Sequence, residues 1–153
     1  MPFQRRRRMK RPRIIADYCR RTGQPVPETK GEFVRCVFDS LALCYRDTLH
    51  KIDDMTGKKT PFINIVGGGA KETLLCQYTA DACGIPVTAG PEEATAIGNL
   101  AVQAISLGEI KDIAEARQVV RDSFDVKEYL PNPETKAIWD AGYEKYLKLT
   151  SQN

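Results

Sequence analysis

The feature that most constrains this chain is a change of period at residues 61–69. Pro61-Phe62-Ile63-Asn64-Ile65-Val66 is short, β-rich and apolar on both sides, and Gly67-Gly68-Gly69 follows at once. A strand of this kind belongs in a parallel sheet covered on both faces. Residues 71–83 then take helical spacing, with Leu74, Leu75, Tyr78 and Ala82 expected inward and Gly84 placed to end the helix. A second short strand is expected at residues 85–88, with Pro86 at its start. Strands alternating with helices predict an α/β fold with parallel pairing.

The flanks add helices. Residues 13–21 suit a short helix, and the prolines of Gln24-Pro25-Val26-Pro27 exclude helix beyond it. Residues 32–53 carry two apolar rows, one through Phe33 and Val37, the other through Val34 and Phe38, with Arg35, Asp39, Arg46, His50 and Asp53 opposite and expected in solvent. Gly90-Pro91-Glu92-Glu93 is expected to open a helix reaching residue 106, with Pro91 in its first position and two acids at its positive end. The small residues Ala94, Ala96, Gly98, Ala101 and Ala104 fit close packing of that helix on a sheet. Residues 113–124 form a further helix, 125–130 are extended, and 134–149 form a closing helix.

Two or three short strands cannot cover so much helical apolar face. Either further strands lie upstream, or a partner chain supplies them, in which case a homo-oligomer forms through the uncovered sheet edge.

The 153 residues fit one domain. Seven of the 23 basic residues fall in residues 1–13, which leaves 16 against 20 acidic ones in the remainder. The body is therefore mildly acidic, and residues 1–13 are expected to be a disordered basic tail ahead of a domain at 14–150. Arginine runs bind nucleic acid through phosphate neutralisation. This one has no interleaved aromatics and no accompanying basic face, so a solvated tail is the preferred reading. No stretch has the apolar length of a membrane span, and no apolar region follows the basic start as in a secretory signal, which points to the cytoplasm. The five cysteines contain no CxxC pair and there is one histidine, so no zinc spacing and no metal site is expected. Reduced, buried cysteines are expected instead.

The best chemical candidate is the triglycine between strand and helix. Glycines let peptide N–H groups approach a ligand unobstructed, and a helix start suits phosphate. The run is neither GxGxxG nor GxxxxGK[ST], so a purely structural turn is the slightly preferred reading of these residues alone. Gln77 and Asp81, four apart, suit a surface hydrogen bond between helical neighbours. Glu92 and Glu93 are explained by the helix dipole rather than by acid–base work.

Longer runs make the chain recognisable. Ile63-Asn64-Ile65-Val66-Gly67-Gly68-Gly69, Ala80-Asp81-Ala82-Cys83-Gly84 and Ala89-Gly90-Pro91-Glu92-Glu93-Ala94-Thr95-Ala96-Ile97-Gly98-Asn99 resemble the C-terminal domain of the FGGY carbohydrate kinases, in particular the rhamnulokinase branch. Gly23-Gln24-Pro25-Val26-Pro27-Glu28-Thr29 and Ala116-Arg117-Gln118-Val119-Val120-Arg121 agree with this. The resemblance implies a ribonuclease H-like, actin-like ATPase half-domain that lacks its N-terminal strands. It implies ATP with Mg2+ as the nucleotide of the full-length enzyme and L-rhamnulose as phosphoryl acceptor. The sugar lobe and the catalytic aspartate, the general base, would lie upstream of this chain, so no catalytic residue is expected in it and no activity from it alone. Gly67, Gly68 and Gly69 would lie against the adenosine and phosphates. Glu72 occupies the position where many sugar kinases place an asparagine beside the adenine; a carboxylate there has no amide donor. Residues 1–13 do not resemble the family, as a start after a frameshift or internal truncation would produce. A non-catalytic assembly module derived from such a kinase is the alternative function.

Overall fold

The computed structural model describes residues 10–151. Helix α1 is Lys10–Arg21 and helix α2 is Lys30–Thr56. Strand β1, Ile63–Ile65, runs through a 3-10 turn at Gly67–Lys71 into helix α3, Thr73–Cys83. Strand β2, Val87–Ala89, leads to helices α4, Ala94–Leu107, and α5, Ile113–Ser123. Strand β3, Lys127–Tyr129, a 3-10 turn at Pro133–Thr135 and helix α6, Lys136–Thr150, complete the chain.

The α/β character holds, but the sheet is mixed. β1 and β2 pair in parallel, Ile63 opposite Val87 and Ile65 opposite Ala89. β3 joins the other side of β2 antiparallel, Val87 opposite Tyr129. The chain therefore reverses after α5 and returns alongside β2, a step that strand patterning alone does not reveal.

Side-chain alternation gives the sheet two unlike faces. Ile63, Ile65, Val87 and Ala89 point towards α3 and pack on Cys76 and Ala80, with Val87, Cys76 and Ala80 wholly buried. The far side of α3 meets α2 and α6 in a second cluster of Ala42, Ala82 and Trp139. There the Tyr78 and Trp139 rings meet edge to face with centroids 5.5 Å apart, and the Arg35 guanidinium lies 4.5 Å over the Tyr78 ring. Arg46 closes the seam with a 2.7 Å ion pair to Asp140.

Local chemistry sets the boundaries. Thr29 and Glu32 form a reciprocal capping box at the start of α2, and the Glu28 and Thr29 amides, donating to the Glu32 carboxylate, hold it below its ordinary range. Asp112 caps α5 through the Glu115 N–H. Gly84 and Gly108 end α3 and α4 as expected.

Several expectations require correction. α1 starts at Lys10, so residues 10–13 are helical rather than tail, while residues 1–9 lie outside the described residues. Pro91 is not the first residue of a helix. It follows a cis Gly90–Pro91 bond, and α4 begins only at Ala94. α4 buries none of its residues, so its small side chains do not mark close packing on a sheet. Leu74 points outward, whereas Thr79, one turn further on, is buried with its hydroxyl donating to the Leu75 carbonyl at 2.7 Å. Asp53 is buried too: its Oδ1 accepts from the Thr60 amide at 2.9 Å and the Thr60 hydroxyl at 2.6 Å, which pins the loop after α2.

Candidate functional site

Val66 leads out of β1 in extended conformation and the chain tightens into the 3-10 turn. Gly67 adopts φ +73°, a left-handed conformation that a side chain disfavours, and its N–H donates to the Pro91 carbonyl at 3.2 Å. That bond fastens the exit of β1 to the segment after β2, and it commits the Gly67 N–H internally.

Gly68 differs from its neighbours. It is exposed, and a Cβ built on it would meet nothing within 4 Å. Gly69 is tighter, with a Cβ there lying 3.4 Å from Ile65 Cγ2. Its carbonyl accepts from the Glu72 amide at 3.2 Å and from the Cys76 thiol at 3.7 Å. At the first residues of such a turn the peptide N–H groups have no partner within the turn. The i→i+3 bonding of the turn commits the Gly69 amide to the Val66 carbonyl, so Gly68 alone of the three keeps an uncommitted amide, and a Cβ there would meet open space. Glu72 is exposed at the corner between the turn and α3, where its carbonyl accepts from the Cys76 amide at 3.0 Å.

Two concavities flank the turn. One, of about 460 Å3, is bordered by Ala70, Lys71, Pro91, Glu92 and Lys127. The other, of about 840 Å3, is a groove between the outer face of the sheet, with Asn64 and Thr88, and the helices α4 and α5. Gly67, Gly68, Gly69 and Glu72 line neither. The residues just before them (Val66) and just after them (Ala70, Lys71) do.

Lys71 Nζ lies 2.6 Å from Glu92 Oε2, and this bond raises the lysine pKa, holding the ammonium charged beside the turn. Both side chains are at least half exposed, so the pair is screened and contributes little to stability. Glu92 thus balances a lysine from the preceding unit rather than the start of α4. Opposite charges behind two glycine-rich turns were the available signal, but their meeting depends on the β1–β2 register. Gly90, expected only to lead into a helix, has a second role. At φ +119°, its Cβ would come within 2.9 Å of the Asp125 carbonyl oxygen, so only glycine lets the approach to β3 pass so close.

The remaining candidates are structural. Gln77 Nε2 donates to Asp81 Oδ1 at 2.8 Å, as expected, and also to the Leu130 carbonyl at 2.8 Å. Asp81 Oδ1 in turn accepts from the Asn132 amide at 2.8 Å, so the pair holds the chain leaving β3. His50 is half-buried rather than in solvent, its ring edge-on to Tyr143 at 5.3 Å. All five cysteines are free: Cys19 and Cys76 are buried, Cys36 and Cys83 half-buried and Cys44 exposed, the last against expectation. Burial pushes the Cys83 thiol up to about 11, which keeps it unreactive.

What the turn offers is one unpartnered peptide donor at Gly68, a clear space over it and a cation at Lys71. The profile of the FGGY family of carbohydrate kinases, C-terminal domain, matches residues 3–107, so residues 3–13, expected to fall outside the family, belong to the matched region. This chain belongs to the FGGY family of carbohydrate kinases. The rhamnulokinase of Bacteroides thetaiotaomicron is 49% identical to this FGGY domain over 129 residues, covering 84% of it and 26% of that enzyme. The crystal structure of xylulose kinase from Rhodospirillum rubrum superposes on 85% of the chain with a TM-score of 0.65 and 22% identity, and the match covers 26% of that protein. At such identity the likeness carries the fold alone. The FGGY chain described here thus spans about a quarter of the length of each of these relatives.

Proposed function

We propose that this chain is the nucleotide-gripping C-terminal lobe of a kinase that transfers the γ-phosphate of ATP to L-rhamnulose. On this reading the three strands are part of a larger ribonuclease H-like, actin-like sheet. The sugar lobe and the general base are carried by sequence outside this chain, which works in the cytoplasm. Rhamnulose as the acceptor is supported by the 49% identity to a rhamnulokinase. The observation that carries the nucleotide reading is Gly68, exposed at the start of the 3-10 turn with open space where a side chain would stand.

ATP, with Mg2+ held on its phosphates, fits the donor set. The amide of Gly68 would hydrogen-bond an anionic oxygen or the edge of the nucleoside, and Lys71 would add a cation. The nucleotide supplies the transferred phosphoryl group; the chain's part is to bind and orient it, because phosphoryl transfer depends chiefly on positioning and electrostatics. Glu72 presents a carboxylate where an amide would donate, so Glu72→Asn is expected to tighten nucleotide binding.

The test is a chimera in which this chain replaces the matching region of the Bacteroides thetaiotaomicron rhamnulokinase. The folded chimera is expected to phosphorylate L-rhamnulose with ATP, and the isolated chain is not. A chimera with native-like circular dichroism that neither binds nor consumes ATP contradicts the proposal, as does turnover of L-rhamnulose by the isolated chain.

A second reading, self-association through the uncovered sheet edge, is favoured by one observation. Phe62 and Val66, on either side of β1, are 48% and 53% exposed although both are apolar.

A further inference from the structure

We propose that Glu92 is a positioning residue of the nucleotide site, holding the Lys71 ammonium beside the glycine turn for a phosphate oxygen of the ligand. The inference rests on the nucleotide reading above and adds the group that orients its cation.

The turn at Gly67–Lys71 is tied at both ends to one short segment after β2. The parallel register sets Ile65 opposite Ala89, and the Gly90 N–H donates to the Ile65 carbonyl at 2.9 Å. One step on, the Gly67 N–H donates to the Pro91 carbonyl at 3.2 Å. Glu92 follows directly, and its carbonyl oxygen would lie 3.8 Å from a Cβ on Gly67. The Glu92 backbone is therefore fixed against the start of the turn. Its carboxylate reaches the other end, where Oε2 lies 2.6 Å from Lys71 Nζ. Gly68, with the uncommitted amide, falls between the two ties.

A lysine side chain loose on a surface samples many rotamers, and a ligand that recruits it must immobilise it at a cost to affinity. Glu92 immobilises Lys71 before the ligand arrives. A lysine ammonium has donors beyond the one given to Glu92, and this side chain is 60% exposed, so they stay within reach of an anion. The other cation bordering the same cavity, Lys127, lies 3.8 Å from Asp125 instead. The Glu92 carboxylate also repels an anionic ligand. At an exposed site salt screens that repulsion, whereas it does not restore the rotamers of the lysine, so the hold outweighs the repulsion at physiological ionic strength. An exposed pair adds little to stability, which separates an effect on the ligand from an effect on the fold.

Isothermal titration of the native chain and its variants with a nonhydrolysable ATP analogue and Mg2+, at about 0.15 M salt, tests the proposal. Lys71→Ala should weaken binding about ten-fold, the loss of a charge-assisted hydrogen bond. Glu92→Asp keeps the negative charge but ends one methylene short of the lysine. It should weaken binding about two- to ten-fold through the rotamer freedom it gives back to Lys71. In the double variant Lys71→Ala/Glu92→Asp the second change should cost nothing further, because Glu92 acts through Lys71. A purely structural role for Glu92 adds its own loss there. Thermal melts by circular dichroism establish that each variant is folded. A native chain that binds no nucleotide overturns the nucleotide reading, and this proposal with it. A native chain that binds, with Glu92→Asp binding as well or better, overturns the role of Glu92 alone. So does a full added loss in the double variant, or a Lys71→Ala variant that binds like the native chain.

Discussion

The two faces of the sheet are built from the same three strands and end in opposite states. On the α3 face, Val87, Cys76 and Ala80 have no exposure, and Trp139 behind them retains 7%. On the α4–α5 face, Asn64 and Thr88 look into an open groove, α4 buries nothing, and Val102 and Leu107 are 60% and 79% exposed. Both helices that meet the sheet are rich in small residues, so composition does not explain the difference. Position does. α3 lies between the sheet and a second layer of α2 and α6, and its small residues are squeezed from both sides. Among the described residues α4 packs chiefly on α5. Small side chains permit close packing, but another surface must be there to pack against.

That contrast can be broken by mutation. Trp139→Ala removes the largest side chain of the closed side and should cost about 3–5 kcal/mol, seen as a lower denaturation midpoint in urea; a loss under about 1 kcal/mol would mean that this layer is not packed as described. A matched pair follows. Ala80→Leu overfills the closed face and should cost about 1–3 kcal/mol, whereas Ala101→Leu in the open groove should be near neutral or mildly stabilising. Equal costs for the two would erase the distinction between the faces.

Asp53 probes the end of the closed side. The Thr60 hydroxyl and amide hold its carboxyl below the ordinary range. A depressed folded-state pKa stabilises the protein above the unfolded value, about 3.9, and that stability is lost as pH falls through the folded value. Asp53→Asn should therefore lower the thermal midpoint at pH 7, and its deficit should shrink below about pH 4. A deficit independent of pH would assign the effect to packing. The smallest effect is expected at Val102→Ser, within about 0.5 kcal/mol, since the side chain already meets solvent.

The sequence revealed the elements better than their partners. The period change at Phe62–Val66 located β1, and glycines and prolines marked the helix ends, because both signals are local. The antiparallel return of β3 was not legible, since its Lys127-Glu128-Tyr129 carries no pattern that selects a direction. Asp53 looked like a surface residue because its partner Thr60 lies in a loop seven residues on. At the candidate site the glycines announced an unobstructed backbone but not which amide was free. Only the Gly67–Pro91 bond, set by the register of β1 on β2, separates Gly67 from Gly68.

The most direct measurement is isothermal titration with a nonhydrolysable ATP analogue and Mg2+, comparing the native chain with Gly68→Val. A Cβ at Gly68 would meet no protein atom within 4 Å and the residue is exposed, so the variant should keep its fold. Blocking the charge-assisted hydrogen bond at Gly68, worth about 1.5–3 kcal/mol, should weaken binding by about ten-fold or more. Unchanged affinity in a folded Gly68→Val protein, or a native chain that shows no binding heat at millimolar nucleotide, would contradict the assignment of this turn to the nucleotide.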